Sequence, residues 1–422
     1  MTLSTTQKNL VTATVPVLQQ HGETITRVFY HNMFAAHPEL YNLFNPANQR
    51  DGGQARSLAA AVLAYAENID RTEPLGPMLR RINSKHASLD VQPDQYSVVG
   101  NFLLGAISEV LGSAATPDIL DAWGAAYTHL AGLMIGAETT LYKENASLKS
   151  EWPGFKPFRV ERKVPESEFL TSFYLTPKNG SRLPPFQPGQ YLSLKVHPTG
   201  FAYDQIRQYS ISCESNGHHY RISVQRELAP ANDEHAPAGM VSNFLHNTIM
   251  QGDELTVHMP SGDFTLCESD RPVVLLSGGS GITAVLSMLQ QLVSRSGANR
   301  KVLFMHMARS RGHHAFNHEV RAMIHRRPEM RAITLYEKAG PDDVPGQHHD
   351  AIGRISAEVL QRYLPERDAD FYYCGPVGFM DATEVILDKL NIAKERRHSE
   401  AFGPDRSFDV PASACQIYPV QG

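Results

Sequence analysis

The spacing of apolar positions divides the chain into three segments with different patterns. In residues 1 to about 148, apolar residues recur every three or four positions, as in 55–69, 97–111 and 119–142. This is the period of an amphipathic helix. Thr116 and Pro117 form a typical helix start, with a capping hydroxyl before a first-turn proline. The pattern predicts an all-α domain of at least six helices.

The second segment follows a linker at 150–157 that contains two prolines and a glycine. Short alternating or β-rich runs, such as 169–177, 190–198 and 220–227, are then separated by turn residues. This spacing predicts an antiparallel β-barrel or sandwich. A short helix is expected inside it, around 243–246.

In the third segment, buried-strand patterns alternate with helical ones from Pro272 onward. Such β-α alternation predicts a doubly wound parallel α/β sheet. The expected fold is thus a multidomain chain, α then β then α/β. We place the domains at 1–150, 151–268 and 269–404, with 405–422 as a C-terminal tail without periodicity.

Composition narrows the class of protein. The chain has 422 residues and a net charge of −5, from 39 basic and 44 acidic residues. Mild acidity argues against a protein that mainly grips nucleic acid, and no uncharged apolar run is long enough to predict a membrane span. The four cysteines form no CxxC pair, which argues against a zinc-finger site and favours a reducing compartment. We expect a cytoplasmic monomer.

A glycine turn lies between a predicted strand and a predicted helix in the third segment. It matches GxGxxA, and helix amides beyond such a turn can hold a pyrophosphate. Such a turn can equally be only a tight connection between strand and helix, so this motif alone does not decide whether a nucleotide binds. After the next strand, Arg309 and Arg311 replace the usual acidic ribose partner and would suit a 2′-phosphate. The candidate residues of the turn are Gly279, Ser280, Gly281, Ile282, Thr283 and Ala284.

The second segment holds two further motifs. An arginine fork can bind a diphosphate while a neighbouring tyrosine lays its ring on an isoalloxazine, and a serine can bond the flavin edge. A later GxVS turn adds backbone donors. A plain edge-strand Arg–Tyr pair would look the same in isolation. The residues are Tyr191, then Arg207, Gln208, Tyr209 and Ser210, then Gly239, Val241 and Ser242.

Four motifs occur in order: RxYS, GxVS, the glycine turn, and Cys374-Gly375-Pro376. Over nearly all of 155–404 this order resembles the ferredoxin–NADP reductase family. The resemblance implies FAD on the β domain and a nicotinamide on the parallel domain, with Cys374 near the hydride path. Gln225, where relatives often carry Lys, and Thr283-Ala284, in place of Thr-Pro, depart from the pattern. The closing segment matches the one whose aromatic residue covers the flavin: Glu400, Ala401, Phe402, Gly403 and Pro404.

In the helical segment, His86 shares an inward stripe with Leu75, Leu79 and Ile82. A histidine in such a stripe is more often a core residue than a metal ligand. Of the 19 histidines in the chain, however, this one has further support around it.

The order Tyr30, Phe44, Gln54, Leu58, His86 resembles a globin, and residues 48–54 and 120–127 resemble the flavohemoglobin globin in particular. The resemblance implies that His86 binds the iron of heme b from the proximal side. It places Phe44 against the heme and Tyr30 and Gln54 on the distal face. Leu58, one helical turn from Gln54 and facing inward, is a further catalytic candidate.

By the same resemblance, Tyr96 and Glu138 form a hydrogen-bonded group with the proximal histidine. A carboxylate that accepts the other ring N–H makes imidazole a stronger donor to iron, which favours O–O bond activation. Lys85 and Glu400 match positions thought to tune heme and flavin potentials.

The whole chain resembles a flavohemoglobin over about 1–404. This implies nitric oxide dioxygenase activity, in which NAD(P)H supplies electrons through FAD to heme and NO and O2 become nitrate. One alternative is a general flavin reductase that passes electrons to flavins, quinones or ferric compounds. The other is a non-enzymatic oxygen binder or sensor, which would have no need of the RxYS, GxVS and CGP motifs.

Overall fold

The structure is a computed structural model that describes residues 3–45, 49, 52–147, 152, 154–229, 236–294, 300–325 and 327–402. The chain separates into two compact units. One comprises Met1–Gly154 and Lys195–Arg207, and the other Phe155–Leu194 and Gln208–Phe402.

The N-terminal part is helical, as the 3.6-residue pattern predicts. The helices are α1 (Thr5–Ala13), α2 (Val15–Ala36), α3 (Gly53–Glu67), α4 (Gly76–Ser88), α5 (Pro93–Leu111) and α6 (Pro117–Ser147). Helix α6 begins as expected, since the N–H of Ile119 donates to Oγ1 of Thr116 over 3.4 Å. Helix α2 packs against α3 and α5, and α6 packs against α1, α4 and α5.

Within the described chain, one stretch is long and apolar enough to cross a membrane by length and composition: Pro93–Ala114, which contains α5. Its residues Leu103, Ala106 and Ile107 are buried in the core of the helical domain. Because core helices pass the same test, this stretch is weak support for a membrane span.

The first sheet comprises six strands in the order β4-β3-β6-β1-β2-β5. Strand β1 pairs antiparallel with β2 and β6, and β2 pairs antiparallel with β5. Helix α7 (Met240–Asn247) confirms the predicted short helix. The strands are β1 (Lys156–Pro165), β2 (Leu170–Pro177), β3 (Tyr191–Val196), β4 (Gln205–Ser210), β5 (Tyr220–Gln225) and β6 (Glu254–Val257).

The expected barrel is not fully closed. Between the two end strands of the first sheet, the described residues show a single bridge, from Ile211 to Ile222. Beside this bridge, the N–H of Ser212 donates to the carbonyl of Arg221 over 2.7 Å, and the N–H of Arg221 donates to Sγ of Cys213 over 3.3 Å.

The strands of the second sheet are β7 (Val273–Gly278), β8 (Val302–Ala308), β9 (Met330–Tyr336), β10 (Ala351–Ile352), β11 (Asp370–Gly375) and β12 (Arg397–Ala401). The sheet is parallel and has the order β10-β9-β8-β7-β11-β12. The accompanying helices are α8 (Ile282–Ser294), α9 (Asn317–Ile324), α10 (Ala357–Tyr363) and α11 (Val377–Lys389).

Alternate residues of these strands enter two apolar clusters. Leu275 and Phe304 belong to one, while Leu276 and Met305 belong to the other. The order reverses at β7, since β8 follows on one side and β11 on the other, and ligands bind at such a switch point in doubly wound sheets. The sequence patterns do not predict β12, because it is an edge strand in which only Arg397 is buried.

Candidate active site

The predicted proximal histidine lies on α4 and contacts two buried side chains. Its Nδ1 is 2.9 Å from Oη of Tyr96 and 2.9 Å from Oε1 of Glu138. The hydroxyl of Tyr96 donates to the same Glu138 oxygen over 2.6 Å. The structure thus brings together the three residues that the sequence grouped: His86, Tyr96 and Glu138.

These contacts determine which ring nitrogen of His86 carries the proton. The only hydroxyl proton of Tyr96 goes to Glu138, so the tyrosine oxygen can only accept at Nδ1, as the carboxylate does. Nδ1 therefore carries the hydrogen, and the lone pair is on Nε2. This assignment follows from the hydrogen-bond pattern.

The pattern also tests whether a heme fits. No hydrogen-bond partner of Nε2 occurs among the described residues, and about a third of the His86 side chain is exposed. A neutral imidazole whose outer N–H is bonded to a carboxylate is the donor arrangement found at protein metal centres. The site fits an iron porphyrin with Nε2 toward the metal.

Helix packing holds the acidic partner in place. Glu138, on α6, is 3% exposed, and Tyr96 lies in the first turn of α5. The hydroxyl of Tyr127 donates to the carbonyl of Tyr96 over 2.6 Å. Gly100 permits this approach, because a Cβ there would lie 2.5 Å from the Tyr127 ring. Burial and the Glu138 carboxylate raise the pKa of Tyr96, so its hydroxyl stays protonated.

Tyr30 is buried in α2 and bonds to the side chain of Gln54. Its ring lies edge-on to Phe44, 5.8 Å between centroids. Leu58 packs against the same apolar cluster. Burial raises the pKa of Tyr30 above its ordinary value, so the hydroxyl remains a donor. Tyr30 therefore lies beside Gln54 and Phe44, and Leu58 packs against the apolar cluster that contains Tyr30.

Lys85 lies exposed on α4, one position before His86. Tyr191 begins β3 and is bridged to Ser261.

The RxYS motif occupies the end of β4. Arg207, Gln208 and Tyr209 are half-buried, whereas Ser210 is buried. This leaves the arginine and tyrosine side chains partly accessible on an end strand.

The GxVS motif forms the start of α7. Gly239 is the N-cap, and Val241 and Ser242 are buried in the first turn. Oγ of Ser242 accepts from the N–H of Glu227 and donates to the carbonyl of Gly239. The backbone at Gly239 has a φ of −60°, so glycine is needed here for space: a Cβ would lie 2.6 Å from that of Glu227.

The glycine turn is the strand-turn-helix unit that the sequence predicts. Gly279–Gly281 forms one tight helical turn between β7 and α8, and Gly279 has a φ of +52° with open space where a Cβ would project. Oγ1 of Thr283 donates to the carbonyl of Ser280 over 3.0 Å. Ile282 and Ala284 are buried at the start of α8.

The CGP motif lies directly beside this turn. A Cβ on Gly281 would collide with the backbone carbonyl of Cys374. Cys374 is fully buried at the end of β11. Burial, and to a lesser extent the charge of the nearby Glu400, raises the pKa of its thiol well above the ordinary value. Gly375 ends β11, and Pro376 is the N-cap of α11.

The closing segment partly falls on β12. Cys374 pairs with Glu400 and Gly375 with Ala401, and Phe402 is exposed. Gly403, Pro404 and the 405–422 tail lie outside the described residues.

Sequence reasoning missed two groups near these motifs. Phe379 lies so close that a Cβ on Gly278 would be 2.9 Å from its ring, and it also faces Gly375. Arg221 forms a buried two-pronged ion pair with Glu319. A lone arginine in a strand carries no signal of its partner 98 positions away.

Comparison with known proteins agrees with this arrangement. A family model described as Globin matches residues 27–134, and one described as Oxidoreductase NAD-binding domain matches 275–385. A flavohemoprotein of Deinococcus radiodurans is 54% identical over 96% of this chain and 98% of its own length. One of Bordetella parapertussis is 46% identical over 95% and 98%.

Solved structures agree as well. A flavohemoglobin of Malassezia yamatoensis with bound FAD and heme matches with a TM-score of 0.82 and 28% identity, over 95% of this chain and all of that one. The FAD/NAD-binding domain of a nitric oxide dioxygenase from Vibrio cholerae matches 60% of this chain and all of its own, with a TM-score of 0.53 and 36% identity. The chain therefore belongs to the flavohemoprotein family and is a heme- and FAD-containing oxidoreductase.

Proposed function

We propose that this protein is a nitric oxide dioxygenase that removes NO with electrons from NAD(P)H. One NO, one O2 and one electron give one nitrate, so atoms and charge balance, and each hydride from the nicotinamide supplies two electrons. The observation that carries the proposal is the hydrogen-bonded His86–Tyr96–Glu138 group, within a chain that also has the buried Tyr30 and the flavin and nicotinamide motifs.

In this proposal, heme would be held through Nε2 of His86, FAD by Arg207, Tyr209 and Ser210, and the nicotinamide nucleotide beside Gly279–Gly281. When bound, heme supplies an iron that binds O2, and FAD splits the hydride of NAD(P)H into single electrons.

Glu138 keeps the hydrogen of His86 on Nδ1 and gives the imidazole anionic character, so Nε2 becomes a stronger electron donor. This push suits O–O bond activation rather than oxygen storage. Glu138 and Tyr96 are buried, so water screens the interaction between Glu138 and His86 only weakly.

Tyr30 provides a buried hydroxyl donor on the distal side. A donor fixed before the reaction stabilises developing negative charge on oxygen without having to reorganise. Gln54 orients that hydroxyl, while Phe44 and Leu58 exclude water around it.

The principal alternative is a flavin reductase that passes its electrons to ferric compounds or quinones. The decisive experiment compares Tyr30→Phe with Tyr65→Phe, a matched variant at a buried tyrosine that bonds to the Ala126 carbonyl and His129. Both are assayed, with heme and FAD loaded, for O2-dependent NO consumption and for ferric reductase activity.

Tyr30→Phe is expected to lose NO turnover far more than ferric reductase activity, and Tyr65→Phe to lose neither selectively. Equal loss of the two activities in Tyr30→Phe, or no loss, favours the flavin reductase. Absence of any acceleration of NO consumption by NADH or NADPH in the wild type overturns the proposal.

NO and O2 are the proposed small-molecule partners, without nucleic acid. A monomeric state and a cytoplasmic location stay predictions.

A further inference from the structure

An ion pair between a buried arginine and a partly exposed glutamate links the sheet that carries the flavin motif to the sheet that carries the nucleotide motif. Arg221 lies in β5 of the first sheet, and its side chain is 5% exposed. Its Nη1 and Nη2 each donate to one carboxylate oxygen of Glu319 over 2.9 Å. Glu319 lies on α9, beside the second sheet. Two parallel hydrogen bonds of this kind fix the angle between the guanidinium and the carboxylate as well as the distance between them.

On the first-sheet side, the guanidinium reaches the chain just beyond the flavin motif. Nε donates to the carbonyl of Ser212 over 3.0 Å, and Nη2 also donates to that carbonyl. Ser212 follows Ser210 by two positions. Arg221 therefore holds the backbone that carries Tyr209 and Ser210.

On the second-sheet side, Glu319 reaches the helix that starts at the glycine turn. Nε2 of Gln290 donates to Oε1 of Glu319 over 2.5 Å. Gln290 lies on α8, which begins at Ile282, directly after Gly281. The chain of contacts thus runs from the flavin motif through Arg221, Glu319 and Gln290 to the nucleotide turn.

Neighbouring contacts make this junction stiff. The Arg221 guanidinium lies 5.0 Å from the centre of the Phe316 ring. The ring of Phe169, next to β2, stacks on His313 at 4.5 Å. The N–H of Glu168 donates to the carbonyl of Gly312 over 3.0 Å.

We propose that Arg221 and Glu319 are positioning residues that fix the flavin-binding strand relative to the nucleotide turn and thereby set the geometry of hydride transfer from NAD(P)H to FAD. The inference rests on the reductase half of the proposed function and is independent of NO as substrate. Hydride transfer falls steeply as donor and acceptor separate, and a displacement of about 1 Å can cost roughly 100-fold in rate.

Two variants test the pair. Glu319→Gln keeps the shape but removes the charge. The combined variant Arg221→Met with Glu319→Leu removes both charges together, so that no charge loses its partner. The matched control is Asp370→Asn, which breaks the buried ion pair with Arg300 (3.0 Å) at the start of β11 in the second sheet.

Each variant is measured with heme and FAD loaded and without NO. Anaerobic stopped-flow gives the rate of flavin reduction by NADH and by deuterated NADH, and absorbance gives the charge-transfer band between nicotinamide and flavin. We expect both Arg221–Glu319 variants to reduce flavin about 10- to 100-fold more slowly, with a weaker band and an altered isotope effect. Asp370→Asn should lower the melting temperature and leave the rate and the band unchanged.

The proposal is overturned if the combined variant melts like the wild type and keeps both rate and band. It is also overturned if Asp370→Asn loses as much rate as Glu319→Gln, since the effect would then follow general stability. Normal flavin reduction in a wild type that consumes no NO would overturn the dioxygenase proposal alone.

Discussion

Nδ1 of His86 lies 2.9 Å from Oε1 of Glu138, although the two residues are 52 positions apart in the chain. Because the Glu138 carboxylate can only accept, this contact keeps the ring hydrogen of His86 on Nδ1. The Glu138 carboxylate is held in this position, because it is buried and its Oε1 also accepts from the hydroxyl of Tyr96.

Glu138→Gln should weaken the donor strength of His86. The amide is neutral, so the imidazole loses its anionic character, and we expect NO turnover to fall about 10- to 100-fold. Resonance Raman spectroscopy of the ferrous protein should show a lower iron–histidine stretching frequency. Tyr142→Phe is the control, since that hydroxyl donates to the carbonyl of Val91 and not to His86. An unchanged frequency in Glu138→Gln would contradict the role of this carboxylate.

Acid should destabilise the second sheet through buried histidines. Nδ1 of His314 is 2.9 Å from Oη of Tyr336, its ring is 5.1 Å from that of His306, and Arg321 and His349 are nearby charged or titratable groups. Burial lowers the pKa of His314 to about 4 and that of His306 well below its ordinary value.

Because these folded-state pKa values lie below the unfolded value of about 6.5, the stabilisation is present above pH 6.5 and is lost as the pH falls toward 4. For His314 alone the loss is on the order of 3 kcal/mol. Chemical denaturation of the full chain at a series of pH values measures it. His314→Asn should flatten the acid limb, whereas His325→Asn, at an exposed position, should leave it as in the wild type. Identical acid limbs in all three proteins would refute this prediction.

Arg309 and Arg311 should favour NADPH. Both are exposed and follow β8. The resemblance to ferredoxin–NADP reductases implies that a 2′-phosphate would bind there. Arg309→Ala and Arg311→Ala should raise KM for NADPH about 10-fold, since a charge-assisted hydrogen bond is worth roughly 1.5 to 3 kcal/mol. KM for NADH should stay as it is. Lys338→Ala removes another exposed positive charge next to this loop and is expected to change neither. A parallel rise in KM for both coenzymes would contradict 2′-phosphate recognition.

Gly281→Ala should separate the nucleotide turn from the CGP motif. The added methyl group would collide with the backbone carbonyl of Cys374, which cannot rotate away as a side chain would. We expect a lower melting temperature and slower flavin reduction by NADH. Gly132→Ala is the control, because a Cβ there meets nothing within 4 Å and alanine is favoured over glycine inside a helix by about 1 kcal/mol. If Gly281→Ala melted and reacted like the wild type, the close approach would have no role.

The candidate site was predictable where a motif is local. The glycine turn, the RxYS strand and the GxVS helix start each lie within a few residues, so their residue types and spacing specify them. The Arg221–Glu319 pair could not be found in this way, because each partner reads as an ordinary charged residue of its own element.

By itself, the sequence determined the order of the elements and the chemistry of the separate motifs, because apolar periodicity and turn residues act over one or two turns of chain. Only the tertiary structure showed which atoms of these side chains meet. It showed that Nδ1 of His86 contacts Oε1 of Glu138, that Gly281 lies against Cys374, and that Arg221 pairs with Glu319. The physical reason is that these contacts depend on helix and sheet packing, in which burial makes a hydrogen bond or an ion pair strong only when both partners meet.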